Sequence, residues 1–348
     1  MSHWKLVKLD FGRNPVHFGE LGIGMEESSE RVYSDTLFSA WVSSYARLFG
    51  KTAVEDLFKL FINHPKQPPF RLSSTFIYQG ETYYLPRPIE RPKGYPNDDL
   101  AFAKEYKKLN YLPLTVWQRW YQKGGFTTRG VDSDRAELEL KVKQPETFGA
   151  LETAKTFDYS KAFESQRLPK VSLDRTTRAS NFYHVGFVKF QPDAGLYFLI
   201  YVPNTDPTLE IKLASALSLL GEDGIGGERS SGAGRFTATW HDLDEQWRNV
   251  VNFKEPNAYS LISLLWEYPF AAEYLQGASY ALRERSGWIV SPVSGQQARR
   301  QAVQMFTEGS VFPQLINGML ANVTPGTFKA HPIYRSGISL SLPIHLTS

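Results

Sequence analysis

Five glycines fall within the eleven residues from 224 to 234, in the run Gly224-Ile225-Gly226-Gly227-Glu228-Arg229-Ser230-Ser231-Gly232-Ala233-Gly234. No helix or strand interior carries that density, because glycine loses the most backbone freedom on ordering and leaves no side chain to pack. The run therefore predicts a loop that uses positive φ and lets the backbone approach another group closely. Its flanks say what it joins. Leu209, Leu213, Leu217 and Leu220 form a helical stripe before it, with Pro207 suited to the first turn. Phe236-Thr237-Ala238-Thr239-Trp240 alternates as a strand after it. A dinucleotide loop would follow a strand and place a third glycine where Arg229 stands, and the run has no Gly-Lys-Ser/Thr for a triphosphate. What is left is a loop whose amides and hydroxyls, with Arg229 and Arg235, can donate to a phosphodiester backbone; a long structural turn is the plainer reading.

The elements before this loop give it a setting. Val7, Leu9 and Phe11 alternate with Lys8 and Asp10, the period of a half-buried strand. A glycine-punctuated loop from Gly12 to Tyr33 follows, then an amphipathic helix from Ser34 through Leu37, Phe38, Trp41, Tyr45 and Phe49. Gly50 stops that helix, and Thr52-Ala53-Val54-Glu55 has capping-box spacing for a second one to about Ile62. Phe70–Tyr78 and Thr82–Leu85 read as strands. Short helices are expected over 98–109 and 116–123, and a strand over 137–142. Asn181–Phe190 and Leu196–Val202 read as a hairpin turned by Gln191-Pro192-Asp193-Ala194-Gly195. The order β, α, β/β, α, β is the split-βαβ, ferredoxin-like order, with an insertion over about 86–180 that carries an exposed β-arm near Val171–Arg178.

Length fits two domains: 348 residues against about 150 per domain. The first spans 1–245 and the second 246–348. The second begins with a strand over Tyr259–Trp266, carries a basic helix around Gln297–Phe306 and closes on Ile338, Leu340, Leu342, Ile344 and Leu346. The fold class is α+β, two ferredoxin-like domains with an inserted β-hairpin arm.

Charge and composition exclude several classes. Lys and Arg number 39 against 36 Asp and Glu, for a net charge of +3, so neither a polybasic tail nor an acidic disordered chain is present. The absence of cysteine removes disulfide scaffolds, zinc ribbons, iron–sulfur clusters and thiol nucleophiles. The first fifteen residues contain no apolar leader, and a cytoplasmic location is expected. The seven histidines form no His-x-His or His-Glu-x-x-His pattern, so no metal or other cofactor is expected. Asp98-Asp99 and Asp242-Asp244-Glu245 suit helix caps. His17, beside Phe18 and Gly19, can serve as a base on a ribose hydroxyl or as a packed loop histidine. Aromatics interleave with cations at Trp117–Lys123, Arg175–His184 and His331–Arg335, the combination that single-stranded nucleic-acid sites use for stacking and phosphate contact.

Four blocks resemble the RAMP superfamily, the RNA-binding subunits of CRISPR systems. They are Phe18-Gly19-Glu20 with Tyr33-Ser34-Asp35-Thr36-Leu37-Phe38-Ser39-Ala40; the loop Gly224–Phe236; the arm Val171-Ser172-Leu173-Asp174-Arg175; and the C-terminal Ser286-Gly287-Trp288-Ile289, Glu308-Gly309-Ser310-Val311-Phe312 and His331-Pro332-Ile333-Tyr334-Arg335-Ser336-Gly337. The C-terminal blocks are similar to the branch that caps the guide 5′ end in type III-A (Csm) complexes. The resemblance implies a non-catalytic subunit that binds the 5′ handle of CRISPR RNA. It also implies a subunit that anchors the large polymerase-like signalling subunit and adjoins the backbone RAMP subunit. RNA contacts would fall on His17, Phe18, Gly19, Arg31 and Ser34; on Leu173, Asp174, Arg175, Thr176 and Arg178; on Gly224, Gly226, Gly227, Arg229, Ser230, Ser231, Gly232, Gly234 and Arg235; and on His331, Tyr334 and Arg335. One departure is that the arm lacks a glycine after Arg175. The alternative within the superfamily is a metal-independent endoribonuclease that processes repeat RNA, with His17 and Tyr33 as its acid/base groups and Arg31 or Lys51 stabilising the phosphorane. An alanine pair at Gly226 and Gly227 is expected to weaken RNA retention and leave the fold intact.

Overall fold

The computed structural model describes residues 3–19, 26–95, 103, 106–107, 109–126, 159–173, 176, 180–204, 206–289 and 298–346. The strand predicted over 137–142, most of the helix over 98–109, and Asp174, Arg175 and Arg178 of the arm lie outside them.

Strand β1 (His3–Asp10) buries Val7 and Leu9 on the alternation its sequence predicts. It lies between β8 (Ala194–Val202) and β9 (Thr237–Asp242), antiparallel to both. Beyond β8 come β3 (Phe76–Gln79), β4 (Thr82–Pro86) and β5 (Tyr111–Pro113), while the two-residue β2 (Arg71–Leu72) also pairs with β8. Helix α1 (Ser34–Asn63), broken at Gly50, joins β1 to this side of the sheet, and α3 (Pro207–Asp223) joins β8 to β9. The strand order β3-β8-β1-β9 with these two helical crossovers is the split-βαβ arrangement the first half of the sequence predicts.

Strand β8 is buried along nearly its whole length because both faces are covered. Phe198 meets Trp41 of α1 at 5.7 Å between ring centroids, and its neighbour Tyr197 meets Trp247 of α4 (Glu245–Val251) at 5.9 Å on the other face. Asp206 caps α3 by accepting from the amides of Thr208 (3.0 Å) and Leu209 (3.1 Å), and Asp244 caps α4 through the Trp247 amide (2.8 Å). Helix α2 (Leu114–Gln122) buries Trp117 and Trp120, so these aromatics belong to the core.

Three expectations change. The predicted hairpin of Asn181–Phe190 with Leu196–Val202 is not formed: β7 (Ser180–Phe190) pairs along eleven residues with β6 (Phe163–Leu173), and β8 leaves for the central sheet. Turn chemistry at 191–195 was compatible with either; the apolar run of β8 decides, since it needs cover on two faces. The basic helix over 297–306 is instead strand β12 (Val303–Phe306), paired with β11 (Leu282–Arg285). Met305 is buried and Gln304 exposed, a period of two that cross-strand pairing enforces. Finally, the C-terminal part is antiparallel β structure, with β10 (Ala258–Leu261) between β13 (Val311–Phe312) and β16 (Ser341–Ile344), and β14 (Leu320–Asn322) paired with β15 (Tyr334–Ser336). Among the described residues after α4 there is no α-helix, so the helices of a second ferredoxin-like unit do not appear there. Ala258, Ile262, Leu340, Leu342 and Ile344 join the same apolar core as β1 and β8.

Candidate nucleic-acid interface

The glycine run folds back onto the first loop. The Gly227 amide donates to the His17 carbonyl (2.8 Å), Gly234 to Pro15 (2.8 Å), and Ile225 to Gly234 across the loop (2.9 Å). Gly226 has φ of 97°, and a Cβ there would collide with the His17 carbonyl; a Cβ on Gly227 would stand 2.6 Å from the His17 ring. Gly226 therefore needs glycine for conformation as well as close approach, and Gly227 for close approach to the His17 ring. His17 itself is buried, with Nδ1 2.7 Å from the Gly186 carbonyl, and Phe18 packs edge-on against Phe11. These contacts are the structural role for His17 that the sequence allowed, and they close off its imidazole. Gly19 stays exposed beside it.

What this packing pushes outward is a single turn, Arg229–Ser231, followed by the left-handed Gly232. Arg229, Ser230, Ser231 and Arg235 are exposed, and no ion pair engages either arginine among the described residues. Gly224 and Gly234 lie buried at the loop's root. The predicted loop residues thus divide into glycines that fold the loop and polar side chains that it displays.

The β6–β7 arm leans against this loop. Val185 and Phe187 of β7 pack on Ala233, with Tyr183 beside them, and Val16 bridges to Val188 through paired backbone bonds of 2.8 Å. Lys170 of β6 donates to the Glu228 carboxylate and to Ser231 Oγ (3.1 Å). The Lys170 bond holds the Glu228 carboxyl below its ordinary pKa. Past Lys170 the described residues are solvent-facing: Leu173 is 68% and Phe182 61% exposed, and Val171 and Thr176 are exposed too. Lys170 and Glu228 were not picked out from the sequence. The signal was there, since Glu228 is the acid in a run of glycines and cations.

Other predicted residues sit elsewhere, in a buried joint between the start of α1 and the C-terminal strands. Asp35 has no exposed surface and accepts from Arg285 Nε (3.0 Å), Arg285 Nη2 (3.1 Å) and Arg335. Burial opposes its charge, but the two guanidiniums outweigh burial and keep the carboxyl below its ordinary pKa. Arg335 is 3% exposed and also donates to the Ser286 carbonyl (2.6 Å). Arg31 pairs with Glu308, which also accepts from Ser74; the same balance holds the buried Glu308 carboxyl down. Ser34 starts α1, but its hydroxyl accepts from the Leu264 amide (3.0 Å) instead of capping the helix. Tyr33 lies under three guanidiniums, those of Arg31, Arg285 and Arg283, at 4.5, 4.7 and 5.0 Å. Of the C-terminal block, Tyr334 stacks obliquely on Phe58 (5.1 Å), and His331 meets Phe328 edge-to-face (5.1 Å). The structure does not bring Arg31, Ser34 or Arg335 to the surface that displays Arg229 and Arg235; their side chains are engaged in holding the fold.

A family model described as the CRISPR Csm4 C-terminal domain matches residues 254–344, the stretch that supplies Arg285, Glu308 and Arg335. Proteins named "CRISPR system Cms protein Csm4" align along nearly the whole chain. The one from Mycobacterium tuberculosis is 28% identical over 335 residues, 95% of this chain and 94% of that protein. The one from Thermococcus onnurineus is 25% identical over 321 residues, 90% and 91% respectively. Among solved structures, a chain of the Csm3-Csm4 subcomplex of a type III-A CRISPR-Cas interference complex shares the fold with a TM-score of 0.62, at 19% identity and over 98% of this chain and 99% of that one. A chain of a Csm1-Csm4 cassette in complex with cA4 does so with a TM-score of 0.59, at 19% identity and over the full length of both. The domain match over residues 254–344 and the alignments over about nine-tenths of the chain make it similar to the Csm4 subunits of CRISPR systems.

Proposed function

We propose that this chain is a non-catalytic subunit of a type III-A CRISPR ribonucleoprotein that binds the 5′ handle of CRISPR RNA. The observation that carries the reading is the glycine loop, folded by its own tight backbone packing so that Arg229, Ser230, Ser231 and Arg235 face solvent beside the arm. Hydroxyls, amides and unpaired guanidiniums gathered on one rigid turn suit phosphate oxygens, and the exposed Leu173 and Phe182 at the end of the arm suit unstacked bases. Gly226, Gly227, Gly232 and Gly234 shape the backbone that approaches RNA, and Arg175 and Arg178, between β6 and β7 in sequence, add sequence-independent phosphate contacts. In this reading residues 1–245 are the RNA-binding unit, and 246–348 brace it through the ionic joint. The solved relatives are assemblies with Csm1 and with Csm3; by analogy the chain anchors a large signalling subunit and adjoins a backbone subunit. A nuclease role for His17 is disfavoured by its buried ring and its bond to Gly186.

The complex assembled with and without this chain, then probed by nuclease footprinting of the bound CRISPR RNA, tests the proposal. Protection of the handle nucleotides should appear only when the chain is present, and purified chain incubated with repeat RNA in EDTA should leave it uncut. Handle protection that is independent of the chain would refute the binding role, and specific cutting lost in His17→Ala would establish the nuclease alternative.

A further inference from the structure

Among the described residues Glu228 is the non-glycine residue with positive φ, at 57° with ψ of 20°. Glycine or asparagine takes that left-handed conformation readily, and glutamate does not. The loop has glycines at 226, 227, 232 and 234, so a glutamate at this one position is a costly choice for the backbone and must serve through its side chain. Its carboxylate has one strong partner, Lys170, and a weaker one, Ser231 Oγ at 3.4 Å. Lys170 is equally out of character in its strand. Apart from Phe163 at the base, every residue of β6 is exposed except Lys170. Its ammonium reaches the loop while also lying 5.7 Å from the Phe187 ring across the ladder. On β7 the buried stretch is 185–188, and from Asn181 to Phe182 the strand is exposed again. Among the described residues, Lys170–Glu228 is therefore the outermost ion pair between the arm and the body.

We infer that Glu228 and Lys170 form a positioning pair that fixes the angle of the arm against the glycine loop, and so the spacing between the turn at Arg229–Ser231 and the apolar end at Val171, Leu173 and Phe182. The part-buried setting makes the pair stiff: side-chain exposure is 24% for Lys170 and 18% for Glu228, so water and salt screen it less than they would a surface pair. Below it, the paired Val16–Val188 backbone bonds and the His17–Gly186 bond anchor the base of β7, and the Val185–Phe187–Ala233 contact is apolar and non-directional; the Lys170 ammonium, held by one carboxylate and one hydroxyl, adds the directional tie farther out. Resting on the RNA-binding reading above, the pair sets how many nucleotides separate the loop's phosphate contacts from the arm's wedge; it touches no RNA base itself.

Hydrogen exchange of the full chain without RNA, followed by footprinting of the assembled complex, tests this. Glu228→Gln and Lys170→Gln should each raise amide exchange across residues 168–173 and 180–184 about tenfold and leave β1 and β8 unchanged. The reciprocal pair Lys170→Glu with Glu228→Lys should recover most of the protection. Glu228→Gly separates positioning from stability: it relieves the left-handed backbone, so the melting temperature should hold or rise while the arm still loosens. In the assembled complex the single variants should keep protection at the loop's nucleotides and lose, or spread over neighbouring positions, protection at the arm's. Unchanged exchange in the single variants overturns the pair, whatever the RNA shows. Loosened arms with an unchanged footprint overturn its role in spacing. Absence of any footprint from the wild-type chain, with exchange behaving as expected, would instead condemn the RNA-binding reading and leave the ionic tie established.

Discussion

Two regions of this molecule are built from the same ingredients and do opposite work. The glycine-loop face and the joint at the start of α1 both draw on arginines, small residues and the first long loop. At the joint, Arg285 and Arg335 converge on Asp35, and Arg31 on Glu308, so every one of these guanidiniums meets a buried carboxylate. On the loop face Arg229 and Arg235 project into solvent beside serine hydroxyls. An arginine's availability to a ligand is decided by whether the fold supplies a desolvated acid, and the acid here comes from more than two hundred residues away in sequence. Lys170 lies between the two kinds: it is held by an acid, Glu228, yet on the displayed face.

The sharpest way to break the comparison is to remove the joint's acid. Asp35→Ala leaves two buried guanidiniums without their carboxylate and should cost about 3–5 kcal/mol in denaturant unfolding, the largest effect expected anywhere in the chain. Acid should act in the same direction. Asp35 and Glu308 both have pKa values below their ordinary ones, so their contribution is complete above about pH 4 and is lost as pH falls through the depressed native values. Wild-type stability measured from pH 6 down to pH 2 should fall more steeply than that of Asp35→Asn, and parallel curves would mean the joint's charge is not what holds it.

Next in size is the loop's own packing. Gly226→Ala puts a methyl into the His17 carbonyl at φ of 97° and should cost about 1–3 kcal/mol, with accompanying loss of RNA retention. This corrects, at Gly226, the expectation that alanine at Gly226 and Gly227 would leave the fold intact: the sequence showed a need for freedom there, but not that the His17 backbone lies against it. Thermal unfolding of the RNA-free chain measures it, and an unchanged melting temperature would mean the loop can lift off the first loop.

Smallest on stability, and most telling for function, is the displayed pair. Arg229→Ala with Arg235→Ala should change unfolding free energy by no more than about 0.5 kcal/mol, yet lower the salt slope of RNA binding by about 1.4, for two phosphate contacts at about 0.7 each. The same double change made at Arg31 and Arg335 should do the reverse, destabilising the fold. If both pairs behaved alike, the division between joint and face would fail.

The residue pattern alone determined a good deal. The first strand, the two helices that cross the central sheet, the cap at Asp244 and the existence of a tight loop over 224–234 are all local matters of period, capping and glycine density, and these are written in neighbouring residues. The resemblance carried by the C-terminal blocks likewise pointed to the family that residues 254–344 match. Only tertiary structure decided which strand β7 pairs with, because the first half of β6, up to Leu168, is patternless in sequence and its eleven-residue ladder is made by the partner it meets. The same holds for strand 303–306, whose helical reading lost to pairing with β11. It holds most of all for the site. Whether an arginine, serine or histidine is displayed or engaged depends on desolvation and on charges brought from distant parts of the chain. Arg31, Ser34 and Arg335 met Glu308, Leu264 and Asp35 only on folding, and among the described residues no acid pairs with the exposed Arg229.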